Sequence, residues 1–289
     1  MPELSKYLRH ATLGHWAVPH FNAANLEMFR AFAEAAAAMN APVMIGTSES
    51  ERAALVPEAA VALARVYGKK YGVPVFLNAD HTHTVAGAKA AIDAGYASVH
   101  IDLSKLPFAE NIAGTAEVVR YARKFGREIN IEGELGALAT DSSTVYKKKI
   151  KIDRATFTKP EEALEFVHKT GVNRLAPAVG NYHGISGTKK MLDFKLIAEL
   201  RAKLRGNVAL VLHGGSGSGN DAFKKAIAAG IANIHISTEL RVAFTKTLRE
   251  TIKKNPDEVA PLKLLAPSAE AVKIKAIELI KLFGAKGKA

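Results

Sequence analysis

Hydrophobic positions along the chain follow two alternating patterns. Short apolar and β-branched runs read as strands: Ala17–Phe21, Pro42–Thr47, Val73–Ala79, Ser98–Asp102, Ile129–Glu134, Arg174–Val179, Ala209–His213 and Ala232–Ile236. Between them lie longer stretches with apolar residues at helical spacing: Leu26–Met39, Pro57–Tyr71, Val85–Ala94, Phe108–Lys124, Pro160–Lys169, Phe194–Leu204, Asn220–Ala229 and Thr238–Lys253. Eight βα units predict an α/β fold, a closed (β/α)8 TIM barrel. The rival, an open doubly wound sheet, needs a G-x-G-x-x-G turn after its first strand, and none is present. The 289 residues suit one barrel domain over 1–289, with a C-terminal helical extension over about 255–289 that includes the apolar helix Ala269–Phe283. One long connection, Ala137–Phe157, follows the fifth strand without periodicity; loops of that length are functional lids or disordered segments.

In such a barrel the site lies at the C-terminal ends of the strands. Seven of the ten histidines fall within or just after a predicted strand: His20, His81, His83, His100, His183, His213 and His235. Acids accompany them at Asp80, Asp102, Glu132 and Glu134, the last two sharing one face because their spacing is two. Imidazoles converging on one mouth beside carboxylates suit a divalent ion. Asp102 and Glu132 have a second reading, as partners of a barrel Lys or Arg. The run His213-Gly214-Gly215-Ser216-Gly217-Ser218-Gly219 follows the seventh strand, and Ser237-Thr238 follows the eighth, the two places where barrels bind phosphate. The chemistry expected is that of a phosphorylated carbonyl compound.

Composition narrows the rest. Cysteine is absent, so thiolate metal sites and cysteine nucleophiles are excluded. No apolar run approaches the ~18 residues needed to cross a bilayer, and the N-terminus lacks the pattern of a signal peptide, which points to the cytoplasm. Forty Lys and Arg against 28 Asp and Glu give +12. The lysines are dispersed, with one run at Lys147–Lys151, and no aromatic residues interleave with them, so a solvated basic surface fits better than a nucleic-acid footprint.

Several motifs together resemble the class II, metal-dependent ketose-bisphosphate aldolases, the group of fructose-bisphosphate and tagatose-bisphosphate aldolases. They are Val18–Glu27, Asp80-His81, Ser98–Asp102 with Leu106–Ile112, Glu132–Gly136, Ala178–Gly184, the His213 glycine loop, Thr238–Arg241 and Lys281–Gly284. The resemblance implies that His81, His183 and His213 hold a catalytic divalent ion, usually zinc, with manganese, cobalt or iron as other occupants. Asp102 and Glu134 then belong to a second metal or monovalent-cation position. Asp80 becomes the acid/base at the C4 hydroxyl, Asn22 and Ser48 contact substrate, and Gly184, Gly214, Ser216, Ser237 and Thr238 bind phosphate. The implied reaction is reversible cleavage of fructose 1,6-bisphosphate to dihydroxyacetone phosphate and glyceraldehyde 3-phosphate through a metal-stabilised enediolate, in a homodimer or homotetramer. Alternatives on the same fold are an aldolase for tagatose 1,6-bisphosphate or another sugar phosphate, and a barrel that binds a sugar phosphate without turnover.

The chain departs from the family pattern at informative places. Ser142 stands where the family has an acid that moves the C3 proton, which makes Asp141 the nearest catalytic carboxylate. Leu262 stands where an arginine reaches a partner subunit's substrate. His20, His83 and His235 add imidazoles where small or amide side chains are usual, His235 as a substrate or phosphate donor.

Overall fold

A computed structural model describes residues 3–136, 144–147, 150, 152–187, 190–204 and 208–289. In chain order the elements are α1 (Leu4–Gly14), β1 (Val18–Asn22), α2 (Leu26–Met39), β2 (Val43–Thr47), α3 (Glu49–Leu55), α4 (Pro57–Tyr71), β3 (Val75–Thr82), α5 (Val85–Ala94), β4 (Ser98–Ile101), α6 (Phe108–Ala122), β5 (Asn130–Leu135), β6 (Val145–Tyr146), α7 (Pro160–Thr170), β7 (Arg174–Pro177), β8 (Ile185–Ser186), α8 (Phe194–Leu204), β9 (Ala209–Leu212), α9 (Asn220–Ala229), β10 (Ile231–Ile236), α10 (Thr238–Lys254) and α11 (Pro261–Leu282). Eight strands close into a barrel in the order β1-β10-β9-β7-β5-β4-β3-β2, every pair parallel. This is the (β/α)8 barrel that the alternation predicts. Five of the eight helices coincide with their predicted bounds, because their ends carry explicit stop signals. Asn25 caps α2 by accepting from Met28 N at 3.0 Å, Pro57 begins α4, and Gly72 and Gly95 end α4 and α5 with positive φ.

The structure adds elements that the strand-helix alternation does not contain. α1 buries Leu4, Leu8 and Ala11 against β1, β9 and β10, and Ser5 Oγ accepts from Asn130 Nδ2 at 3.2 Å. α3 is a short helix closed by a capping box between Ser48 and Glu51. Within the connection that reads as structureless, Val145–Tyr146 pairs in parallel with Ile185–Ser186, and Arg154–Thr156 forms a 3-10 turn. The C-terminal helix starts earlier than Ala269, at Pro261, and runs through Pro267 while packing on α2 and α10. Pro261 supplies a preset φ at its first turn.

The barrel interior holds a polar layer. Arg174 of β7 is fully buried; its Nε donates to Asn130 Oδ1 at 2.8 Å, its Nη1 to Asn233 Oδ1 at 2.8 Å, and its Nη2 to Asn78 Oδ1 at 3.1 Å and to Ser98 Oγ. Its charge is met by Glu132, 2.7 Å away and equally buried. Glu132 therefore has the arginine partner its second reading supposed.

Candidate active site

The C-terminal mouth of the barrel is a cleft lined by Asn22, Asp80, His81, His183, Gly184, His213, Gly214, Ser216, His235, Ser237 and Thr238. Asp80 and His81 are adjacent in β3, and in a regular strand they would face opposite sides. His81 adopts φ 42°, a left-handed conformation rare for a non-glycine residue, and the pairing with β4 skips from Ala79↔Val99 to Thr82↔Ile101. This irregularity turns both side chains into one cleft. A strained backbone held there by a closed barrel marks a functional position.

Three imidazole nitrogens converge. His81 Nε2 lies 3.1 Å from His183 Nε2 and 3.1 Å from His213 Nδ1. The other nitrogen of His81, Nδ1, is 2.9 Å from Asp102 Oδ2, and that of His213, Nε2, is 2.6 Å from Glu132 Oε1. Each carboxylate takes the N–H of its neutral ring and leaves a lone pair on the nitrogen facing the cluster. A tetrahedral ion with bonds of about 2.0–2.1 Å sets its ligand nitrogens about 3.3 Å apart, so the donors suit a divalent cation in chemistry and, for the two pairs that share His81 Nε2, in spacing. Burial, together with the neighbouring His100 and His81, pushes His213 well below the ordinary imidazole range, keeping it a neutral ligand. At His81 burial acts the same way, but Asp80 and Asp102 outweigh it and hold the pKa up. A metal ion displaces such a proton and supplies the same positive charge.

The second expected position also assembles: one donor atom each from His81, His100, Asp102 and Glu134 lies within 4.8 Å of the others. His100 is the member that motif reasoning left without a role. Its Nε2 is 3.2 Å from Glu134 Oε2 and its Nδ1 3.7 Å from Asp80 Oδ1. Burial lowers its pKa, yet Glu132, Asp80 and Glu134 together hold it well above the usual value. Its strand position was the available signal, since its ring faces the barrel axis. Glu134 is raised, by burial first and by Asp102 second.

Asp80 Oδ2 accepts from Asn22 Nδ2 at 2.9 Å, and Oδ1 lies 3.4 Å from His235 Nδ1. Burial pushes this carboxyl up, but His81, His100 and His235 outweigh it and hold the pKa well below the carboxylate range, so it is ionised. Asn22 is fixed in turn by Glu51 Oε2 at 3.3 Å, while Glu51 Oε1 pairs with Arg241. Glu51 and Arg241 are supporting residues that the sequence did not single out; Thr238–Arg241 was visible only as a motif.

Gly184, Gly214, Ser216, Ser237 and Thr238 line one side of the cleft beside the first turn of α10. Gly214 sits at φ +61°, and a Cβ there would stand 2.2 Å from the Tyr182 carbonyl oxygen, so only glycine lets the two loops touch. Ser237 Oγ is buried with no hydrogen-bond partner among the described residues. A buried hydroxyl beside a helix N-terminus suits an anion.

Some expected residues fall elsewhere. Ser48 caps α3 instead of lining the cleft, and Asp141 and Ser142 lie outside the described residues. His83 is exposed on the rim, its Nδ1 3.2 Å from Glu49 Oε2. His20 lies beneath the cleft, its ring stacked on His235 at 3.5 Å. Gly46 makes room for it, since a Cβ at that position would stand 2.2 Å from the ring.

Comparison with known proteins bears on the whole chain. The family model for class-II fructose-bisphosphate aldolase matches residues 2–288. The fructose-bisphosphate aldolase of Geobacillus stearothermophilus is 36% identical over 99% of this chain and 98% of its own length. That of Staphylococcus aureus strain Mu50 is 36% identical over 95% of this chain and 94% of its own. The crystal structure of the YdjI aldolase from Escherichia coli K12 superposes with a TM-score of 0.84 at 33% identity, covering 99% of this chain and 98% of that one.

Proposed function

Because the chain belongs to the class-II fructose-bisphosphate aldolase family, we propose that it cleaves fructose 1,6-bisphosphate reversibly to dihydroxyacetone phosphate and glyceraldehyde 3-phosphate. The observation that carries this reading is the meeting of His81, His183 and His213, two of them oriented by carboxylates, beside an ionised Asp80 and a glycine-lined anion cradle. Relatives named for that substrate favour it over tagatose 1,6-bisphosphate and over binding without turnover.

His81, His183 and His213 hold the divalent ion, zinc in this reading, although imidazoles also accept manganese, cobalt or iron. Asp102 and Glu134, with His100, offer the second cation position. When bound, the ion supplies Lewis-acid polarisation of a ketone oxygen and a fixed positive charge where negative charge develops. Gly184, Gly214, Ser216, Ser237 and Thr238 anchor the phosphate of the dihydroxyacetone phosphate half. Asp80, held in place by Asn22, accepts the C4 hydroxyl proton; the O–H bonding pair forms the aldehyde C=O, and the pair of the broken C3–C4 bond passes to the dihydroxyacetone phosphate half as its enediolate. His235 places Nδ1 3.4 Å from the other carboxylate oxygen of Asp80 and lines the cleft as a substrate or phosphate donor. Asp141 is the carboxylate assigned to the C3 proton, and Ser48 the more distant substrate contact. The reading includes a cytoplasmic homodimer or homotetramer; among the described residues no helix is long and apolar enough to cross a membrane.

The test is cleavage of fructose 1,6-bisphosphate by the purified protein. Chelation abolishes it, zinc restores it, and Asp80→Ala lowers kcat by about 10²–10⁴-fold with metal still bound. A folded, metal-binding protein that cleaves nothing with zinc, manganese or cobalt overturns the reading.

A further inference from the structure

A second cationic centre lies behind the phosphate side of the cleft. Lys190 is only 3% exposed. Its Nζ donates to four backbone carbonyl oxygens: Tyr182 at 2.7 Å, Gly184 at 3.0 Å, and Gly214 and Ser216 at 2.5 Å each. Two of those carbonyls follow β7 and two follow β9, in the loops that deliver His183 and His213 to the cleft. The same loops contribute Gly184, Gly214 and Ser216 to its lining. The ammonium also stands 4.3 Å from the centre of the Tyr182 ring.

Four carbonyl dipoles aimed at one point repel one another unless a cation sits between them, and rings of carbonyl oxygens are how proteins bind desolvated potassium. Ammonium and potassium are nearly equal in size, and a lysine head group is a compact point charge with three donors, whereas the planar fork of arginine does not match this array. A neutral amine has two hydrogens and leaves at least two of the oxygens without a donor, so the array selects the charged form. Burying that charge is costly and pulls the Lys190 pKa down from the ordinary lysine value to about 7; the four oxygens oppose that loss, because only the charged form gives three of them a hydrogen. The close approach of the loops at Gly214 fixes where they point.

We propose that Lys190 is a tethered monovalent cation. Its ammonium fills a carbonyl-lined site of the size that takes K⁺ or NH₄⁺, locks the loops after β7 and β9 in their anion-binding arrangement, and makes the protein independent of such ions in solution. Lys190 is thus a positioning residue, acting through the loops. The inference rests on the reading of those loops as the phosphate cradle.

The experiment compares the wild-type holoenzyme with Lys190→Met in KCl, NH₄Cl and tetramethylammonium chloride at constant ionic strength. In tetramethylammonium chloride the variant loses at least about tenfold in kcat/KM for fructose 1,6-bisphosphate, chiefly through KM, and K⁺ or NH₄⁺ restores most of it. Wild-type activity stays within about a factor of two across the three salts. The melting temperature reads the site without turnover: K⁺ and NH₄⁺ raise that of the variant and leave that of the wild type unchanged. If the melting response appears while neither protein cleaves the substrate, the cation site stands and the substrate reading falls. A wild type that is itself activated several-fold by K⁺ or NH₄⁺ overturns the proposal, whether or not the variant folds. So does a folded variant whose activity and melting temperature ignore all three salts.

Discussion

His20 shows how one buried side chain couples the core to pH. Its ring is parallel to that of His235 within 6°, and its Nε2 is 3.0 Å from Asn78 Nδ2. Asn78 Oδ1 accepts from Ser98 and Arg174, so its amide nitrogen is the end that faces the imidazole, and Nε2 is the acceptor. Burial pulls the His20 pKa down to about 4, against the pull of Asp80 and Glu132. Between pH 6.5 and 4 the unfolded chain therefore takes up a proton that the folded protein refuses, and stability falls as pH falls through that window, by up to about 3 kcal/mol for this group. Denaturant unfolding at steps from pH 6.5 to 4.5 is expected to give a shallower loss for His20→Asn than for the wild type. At this scale the residue types of the site were legible in the sequence, because histidines and acids at several strand ends converge on one barrel mouth, although Glu132 and His20 also serve the core. Orientation was not: whether Asp80 and His81 face one cleft depends on the left-handed turn at His81, and Ser48 is drawn away to cap α3.

The strands and helices divide the work differently. Helices such as α2, α4, α5, α8 and α9 are legible to the residue because their caps and apolar stripes are local signals. α1 and α3 lie outside the βα alternation, and the start of α11 is hidden behind two prolines, one of which favours its first turn. The barrel strands carry an interior that alternation alone does not describe, a buried Arg174 tied to Glu132 and to side chains from four other strands. Removing that guanidinium strands a carboxylate in the core. Arg174→Met is expected to cost about 3–5 kcal/mol in urea unfolding, and adding Glu132→Gln should recover part of the loss, a coupling that two independent sites would not show.

For the whole molecule, the proposed metal site on His81, His183 and His213 would tie together β3 and the loops after β7 and β9. An ion that binds only the folded chain stabilises it by about 2.7 kcal/mol at a free concentration 100-fold above Kd. Calorimetry should show a lower melting temperature after chelation and recovery with zinc; an unchanged melting temperature counts against a site spanning the barrel. The sequence by itself determined the eightfold βα alternation, the closed barrel it implies, most helix bounds and the pool of imidazoles and carboxylates at the strand ends. These follow from periodicities and caps that act over two to four residues. Only the tertiary structure decided which of those groups meet. His81 is separated from His183 by 102 residues and from His213 by 132, and barrel closure alone brings their nitrogens together. The carbonyl array around Lys190 carries no sequence signal, because backbone oxygens are the same at every residue and only the fold aims four of them at one point.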